Sequence, residues 1–157
     1  MPFFAIAFLL AFLMLPPLAA DCGASPPQHY ILNRNETLPA YAVGQKMNGR
    51  CAWYGQRGHG NKTASGRPFD GRALTAAHRT LPFGSKVRVT NKRNGRSVVV
   101  EVTDRGPKNR RYEIDISRQA AVNIGLKDAG EGMVTIEILH LPKWYAGKGN
   151  RQRAKRK

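Results

Sequence analysis

Cysteine is nearly missing from this chain of 157 residues, which has two, Cys22 and Cys51, beside four histidines. So few thiols and imidazoles, scattered as they are, lack metal-ligand spacing, and no metal site is expected. Acidic residues are also scarce, ten against 26 Lys and Arg, leaving a formal net charge of +16. A balance of that kind favours an anionic partner. Long apolar runs are missing too. The longest, Phe3 to Leu15, falls short of the roughly 20 residues that a spanning helix needs. The length suits one domain with its termini.

Residues 1–20 carry no charged side chain, and Pro16-Pro17 followed by Leu18-Ala19-Ala20 ends the apolar run on small residues. This is the pattern of a secretory signal peptide cleaved before Asp21. Export sends Cys22 and Cys51 to an oxidising compartment, the periplasm or envelope, where a Cys22–Cys51 disulfide is expected. An exported basic protein meets anionic envelope polymers first, so nucleic acid is not the expected partner. Residues 21–46, with Pro26-Pro27 and Pro39, read as an extended linker. Residues 141–157 read as a basic disordered tail, rich in Lys and Arg behind Trp144-Tyr145.

Between these ends, short alternating segments and dense turns mark an all-β domain over residues 47–140. Cys51 to Gly55 reads as a first strand and Ala73 to Ala77 as a short second one. Val87 and Val89 alternate with Arg88 and Thr90, and Asn94-Gly95 turns that strand into Ser97–Thr103. Glu113–Ile116 and Met133–Leu139 complete the set, with one helix between them, capped by Ser117 and ended by Gly125.

The stretch most suggestive of chemistry is Val100-Glu101-Val102-Thr103-Asp104-Arg105-Gly106-Pro107. It sets Asp104 where an apolar strand breaks at Gly-Pro, on a rigid element at a loop mouth. Odd spacing puts Glu101 on the opposite face, as a partner for Arg88 or Arg96. Trp53 and Tyr54 offer flat faces for stacking on sugars, one pointing to each side of the first strand.

Several motifs accompany that turn in order: Trp53-Tyr54-Gly55, Thr63-Ala64-Ser65-Gly66, Thr75-Ala76-Ala77-His78, Leu81-Pro82-Phe83-Gly84, Asn94-Gly95-Arg96 and Asp115-Ile116-Ser117. The series over residues 49–139 resembles the rare lipoprotein A (RlpA) family of bacterial cell-wall proteins. The resemblance implies a six-stranded double-psi β-barrel with one short helix, as in barwin and expansins. It also implies lytic transglycosylation of naked peptidoglycan glycan strands, without a cofactor. Asp104 falls on the family's catalytic aspartate, His78 on its site histidine, and Asp115 on the second carboxylate of expansins. Asp70 and Arg105 join Trp53 and Tyr54 as expected substrate contacts. The family name raises a lipid anchor at Cys22, but Asp21 stands where a lipoprotein signal wants a small residue.

One position departs from the family. The glutamate that follows the Thr-Ala-Ser-Gly motif is here Arg67, which cannot donate a proton near neutral pH. Arg67 is expected to lie across the groove from Asp104 and to bind anionic muramic carboxylates. The substitution sustains an alternative reading, an expansin-like protein that binds and loosens wall glycan without cleaving it. A third reading has the tail binding polyanions.

Overall fold

The alternation of Val87 and Val89 with Arg88 is realised as β3, Lys86–Asn91, both valines fully buried. The computed structural model describes residues 40–54 and 60–145. The signal peptide, Cys22, most of the linker and the tail beyond Tyr145 lie outside the described residues. In β4, Ser97–Asp104, the inward residues are Val98, Val100 and Val102; Val99 is 41% exposed beside Arg88. This strand is therefore buried on one face, not on both.

The other elements are β1, Lys46–Trp53; β2, Thr75–His78; β5, Ile114–Ile116; α1, Arg118–Asn123; and β6, Glu131–His140. The six strands close a barrel in the order β1-β5-β2-β4-β3-β6, with β1/β5 and β2/β4 parallel and the remaining pairs antiparallel. This is the expected double-psi β-barrel. Ile114, Ile116, Val134, Ile136 and Ile138 fill the interior with the valines. Each such burial contributes about 1.5–3 kcal/mol. Helix α1 is short because Ser117 caps it, accepting from Ala120 N at 3.3 Å, and Gly125 ends it at φ +65°.

Three boundaries differ from expectation. β1 begins at Lys46, since Lys46 to Gly49 find partners along β6. At the other end Tyr145 is 3% exposed, and its hydroxyl accepts from Tyr41 N at 2.9 Å. Residues 40–45 and 141–145 thus pack on the barrel instead of belonging to a linker and a disordered tail. Cys51 is wholly buried, because alternation turns it inward; it has no disulfide partner among the described residues, and its Sγ donates to Ala52 O at 3.3 Å. Burial pushes that thiol's pKa far up. Its expected disulfide partner, Cys22, is outside the described residues.

Candidate active site

Strand register assembles the site. Ala77 of β2 lies opposite Asp104 on one side and Asp115 on the other, and Asp115 lies opposite Ala52 of β1. Residues directly opposite share a face, so both aspartates emerge on the outer surface with Ala77 between them. Two strand spacings, about 10 Å, separate their backbones. The turn at Gly106, φ +146°, lies over Ala77, which is 4% exposed; a Cβ on Gly106 would stand 3.7 Å from that of Ala77.

Asp104 reaches the outer face through a bulge. Ala76 pairs with Val102 and Ala77 with Asp104, leaving Thr103 as the extra residue. The bulge resets the alternation. Glu101 and Asp104 consequently share the outer face, contrary to the count of odd spacing. Glu101 binds neither Arg88 nor Arg96 but Arg67, at 2.7 Å, while Arg88 binds Glu137 at 2.7 Å. The Arg67 guanidinium, expected against Asp104, is held instead by Glu101. The Arg67 loop is nonetheless tied to the site. Ala64 N and Arg105 N each donate to Asp104 Oδ1 at 2.8 Å, and Ser65 N donates to Thr103 O at 3.1 Å. One carboxylate oxygen of Asp104 is thus fixed by two backbone amides.

Asp115 differs in kind. Burial raises its pKa to about 6, with Arg79 pulling modestly the other way. Tyr54 sits within the field of both aspartates. Burial is the main cause of its pKa rising to about 12; the Thr75 contact opposes this and the charges of Asp104 and Asp115 add to it. Its hydroxyl is 3.5 Å from Thr75 Oγ1, and its ring meets Phe69 edge-on at 4.8 Å. Trp53 turns the other way, packs on the core and donates its indole N–H to Lys127 O at 3.1 Å. Of the two aromatics, Tyr54 is the one on the carboxylate face.

The remaining expected residues lie elsewhere. His78 points into the barrel at 1% exposure, since it follows the outward Ala77 on β2. Its Nδ1 accepts from Thr80 N at 3.2 Å and Leu81 N at 3.0 Å. Its Nε2 is 3.3 Å from Glu113 Oε1 yet makes no hydrogen bond. Burial, then Arg79 and Arg105, lower its pKa to about 4, so the ring is neutral at pH 7. So buried a ring is closed to sugar. Asp70 accepts from Arg72 N at 2.9 Å in a local turn. Arg105 lies 3.7 Å over the Phe83 ring and donates to His78 O at 3.2 Å.

Sequence reasoning missed Ala52 and Ala77, the floor beside the carboxylates, and missed Glu131, which lies opposite Ala52 on the same outer face. Only the register discloses them.

Comparison with known proteins agrees with this architecture. Residues 46–137 match the family model described as lytic transglycolase. The endolytic peptidoglycan transglycosylase RlpA of Neisseria meningitidis is 51% identical over 120 residues, 76% of this chain and 50% of that one. Its Pseudomonas aeruginosa counterpart is 44% identical over 104 residues, 66% of this chain and 30% of that one. This chain therefore spans half or less of the length of these relatives. Among solved structures, a Streptomyces papain inhibitor superposes with TM-score 0.51 at 28% identity, covering 62% of this chain and 97% of the inhibitor. A Clavibacter michiganensis expansin does so with TM-score 0.51 at 21% identity, over 61% of this chain and 51% of the expansin, a likeness of fold alone. With most of the barrel matched by one family model and half its positions shared with a named member, the chain belongs to the lytic transglycolase family of double-psi β-barrels, the family of RlpA.

Proposed function

We propose that this domain is exported to the cell envelope and cleaves naked peptidoglycan glycan strands by lytic transglycosylation, with Asp115 as proton donor and Asp104 as its partner. The observation that carries the reading is the strip Asp104–Ala77–Asp115 on one outer face, with the Asp115 pKa raised to about 6. A glycosidic oxygen accepts a proton best from an acid whose pKa lies near working pH. Asp115 gives its proton to the bridging oxygen as the bond from the muramic C1 breaks. Positive charge developing at C1 is met by the Asp104 carboxylate. The 6-hydroxyl of the same muramic residue then bonds to C1 and returns its proton to Asp115, closing a 1,6-anhydro ring without water. Tyr54 offers a neutral hydroxyl beside both acids.

Incubation of the domain with stem-peptide-free strands should yield 1,6-anhydro ends by mass spectrometry. Strands retained but uncut would overturn the reading. Asp104→Asn keeps the oxygen that the two amides bind, so the melting temperature should hold while turnover falls about a hundredfold or more.

The second reading, glycan binding without cleavage, is favoured by Arg67 in place of the family glutamate. Its pairing with Glu101 alters the natural test. Arg67→Glu alone would set two carboxylates together, a repulsive arrangement. The reversed pair, Arg67→Glu with Glu101→Arg, restores the contact and supplies the family's carboxylate. We expect that double variant to cut about tenfold faster than the wild type or better, on the scale of acid–base assistance. Equal or slower turnover would mean that the arginine is a working part of this site. The basic residues after Lys143 are read as a tether to anionic envelope polymers, and deletion of residues 146–157 should weaken retention on cell walls without changing turnover on soluble strands.

A further inference from the structure

We propose that the glycan face continues past Asp115 to a second station, formed by Glu131 with Arg50, Arg111 and Tyr112, which selects a sugar residue that carries a carboxylate. This rests on the reading of the Asp104–Asp115 strip as a glycan-cleaving site. The register extends the strip without interruption. Asp115 lies opposite Ala52, and Ala52 lies opposite Glu131 across β1 and β6. Asp104, Asp115 and Glu131 thus share one outer face, each separated from the next by an alanine. The interval from Asp115 to Glu131 is again two strand spacings, about 10 Å. Ala77 is covered by the Gly106 turn, whereas Ala52 is partly exposed, so the accessible stretch of the strip runs from Asp115 over Ala52 to Glu131.

The loop that leaves Asp104 returns to this same station. After Gly106-Pro107 the chain runs to Arg111 and Tyr112, whose side chains both bind Glu131. It therefore borders the strip from one carboxylate to the last. Glu131 Oε1 holds Arg50 Nη1 at 2.9 Å and Arg111 Nη2 at 3.0 Å, and Oε2 takes the Tyr112 hydroxyl. Two guanidiniums share one carboxylate, so the station keeps a net positive charge. Arg50 and Arg111 are 45% and 57% exposed, open to a ligand, and guanidinium is the side chain best shaped for a carboxylate. A strand stripped of its stem peptides carries a free carboxylate on each muramic residue, whereas chitin has none. The station is thus a means of reading muramic acid along the strand, away from the bond that breaks.

The test compares binding of stem-peptide-free peptidoglycan strands with binding of chitin hexaose, on the full chain carrying Asp115→Asn to prevent turnover. The parent should prefer the carboxylated strand about tenfold, the scale of one charge-assisted contact, with the preference fading at high salt. Adding Arg50→Gln and Arg111→Gln should abolish the preference and leave chitin affinity unchanged. Glu131→Gln, which frees both guanidiniums, should raise the preference and serves as the readout if the glutamine pair melts low. A preference untouched by any of these changes would overturn the proposal while leaving cleavage at Asp104 and Asp115 standing. A parent that binds neither strand would overturn both.

Discussion

Asp115→Asn should abolish strand cleavage and, at the same time, make the protein more stable at neutral pH. The two effects share a cause. Burial lifts the Asp115 pKa from 3.8 to about 6, so the folded state holds this proton more tightly than the unfolded chain does. A raised acid stabilises the fold fully below its unfolded pKa, and that contribution is lost as pH rises through about 6. The shift corresponds to about 3 kcal/mol at most, and to roughly 1–2 kcal/mol after allowance for solvent screening at a partly exposed group. Asparagine has no proton to lose, so the variant should melt higher than wild type at pH 8 and match it near pH 3.5. Its turnover should drop by about two to four orders of magnitude, the worth of a general acid. In the wild type, turnover should decline as pH rises above about 6. A variant that melts lower at pH 8 would mean that the Asp115 carboxylate is an ordinary structural anchor.

His78→Ala is expected to be the most destabilising single change on β2. The imidazole is 1% exposed and satisfies the amides of Thr80 and Leu81. Removing it leaves the buried Leu81 amide and the partly buried Thr80 amide without this acceptor and opens a cavity, a loss of about 2–4 kcal/mol. The sign of its pH effect is opposite to that of Asp115. A histidine with a folded pKa lowered to about 4 stabilises the fold above its unfolded pKa of 6.5, and the contribution is lost as pH falls toward 4. Between pH 4 and 6 the two groups oppose each other, so wild-type stability should vary little there. Asp115→Asn exposes the histidine slope, with stability falling on acidification. His78→Ala exposes the aspartate slope, with stability rising. Thermal melts of the three proteins across this range check both assignments at once; parallel curves would refute them.

Much of the architecture was legible in the sequence. The Val87/Val89 alternation, the Asn94-Gly95 turn and the Ser117–Gly125 bracket are local signals, and each produced its element because the physics behind it acts within a few residues. Order around the barrel was not legible locally. The parallel pairs β1/β5 and β2/β4 join segments far apart in sequence, and only the family resemblance supplied them. The site shows the same division. Asp104, Asp115 and Tyr54 do share one face, but counting alternate residues misplaced Glu101, because the bulge at Thr103 shifts the parity between it and Asp104. His78 had no period to read, since Ala76, Ala77 and His78 are all buried although they face different ways. The Arg67–Glu101 and Glu131–Arg50 pairs depend on which strands become neighbours, which composition cannot disclose. Arg67, the position expected to depart from the family's glutamate, has its side chain engaged by Glu101.

The most direct measurement counts 1,6-anhydro-muramic ends released from naked glycan strands at pH 5 by the wild type and by Asp115→Asn, both checked for intact folding. The account predicts such ends from the wild type and essentially none from the variant. Equal yields from the two proteins, or reducing ends formed by water in place of anhydro ends, would contradict it.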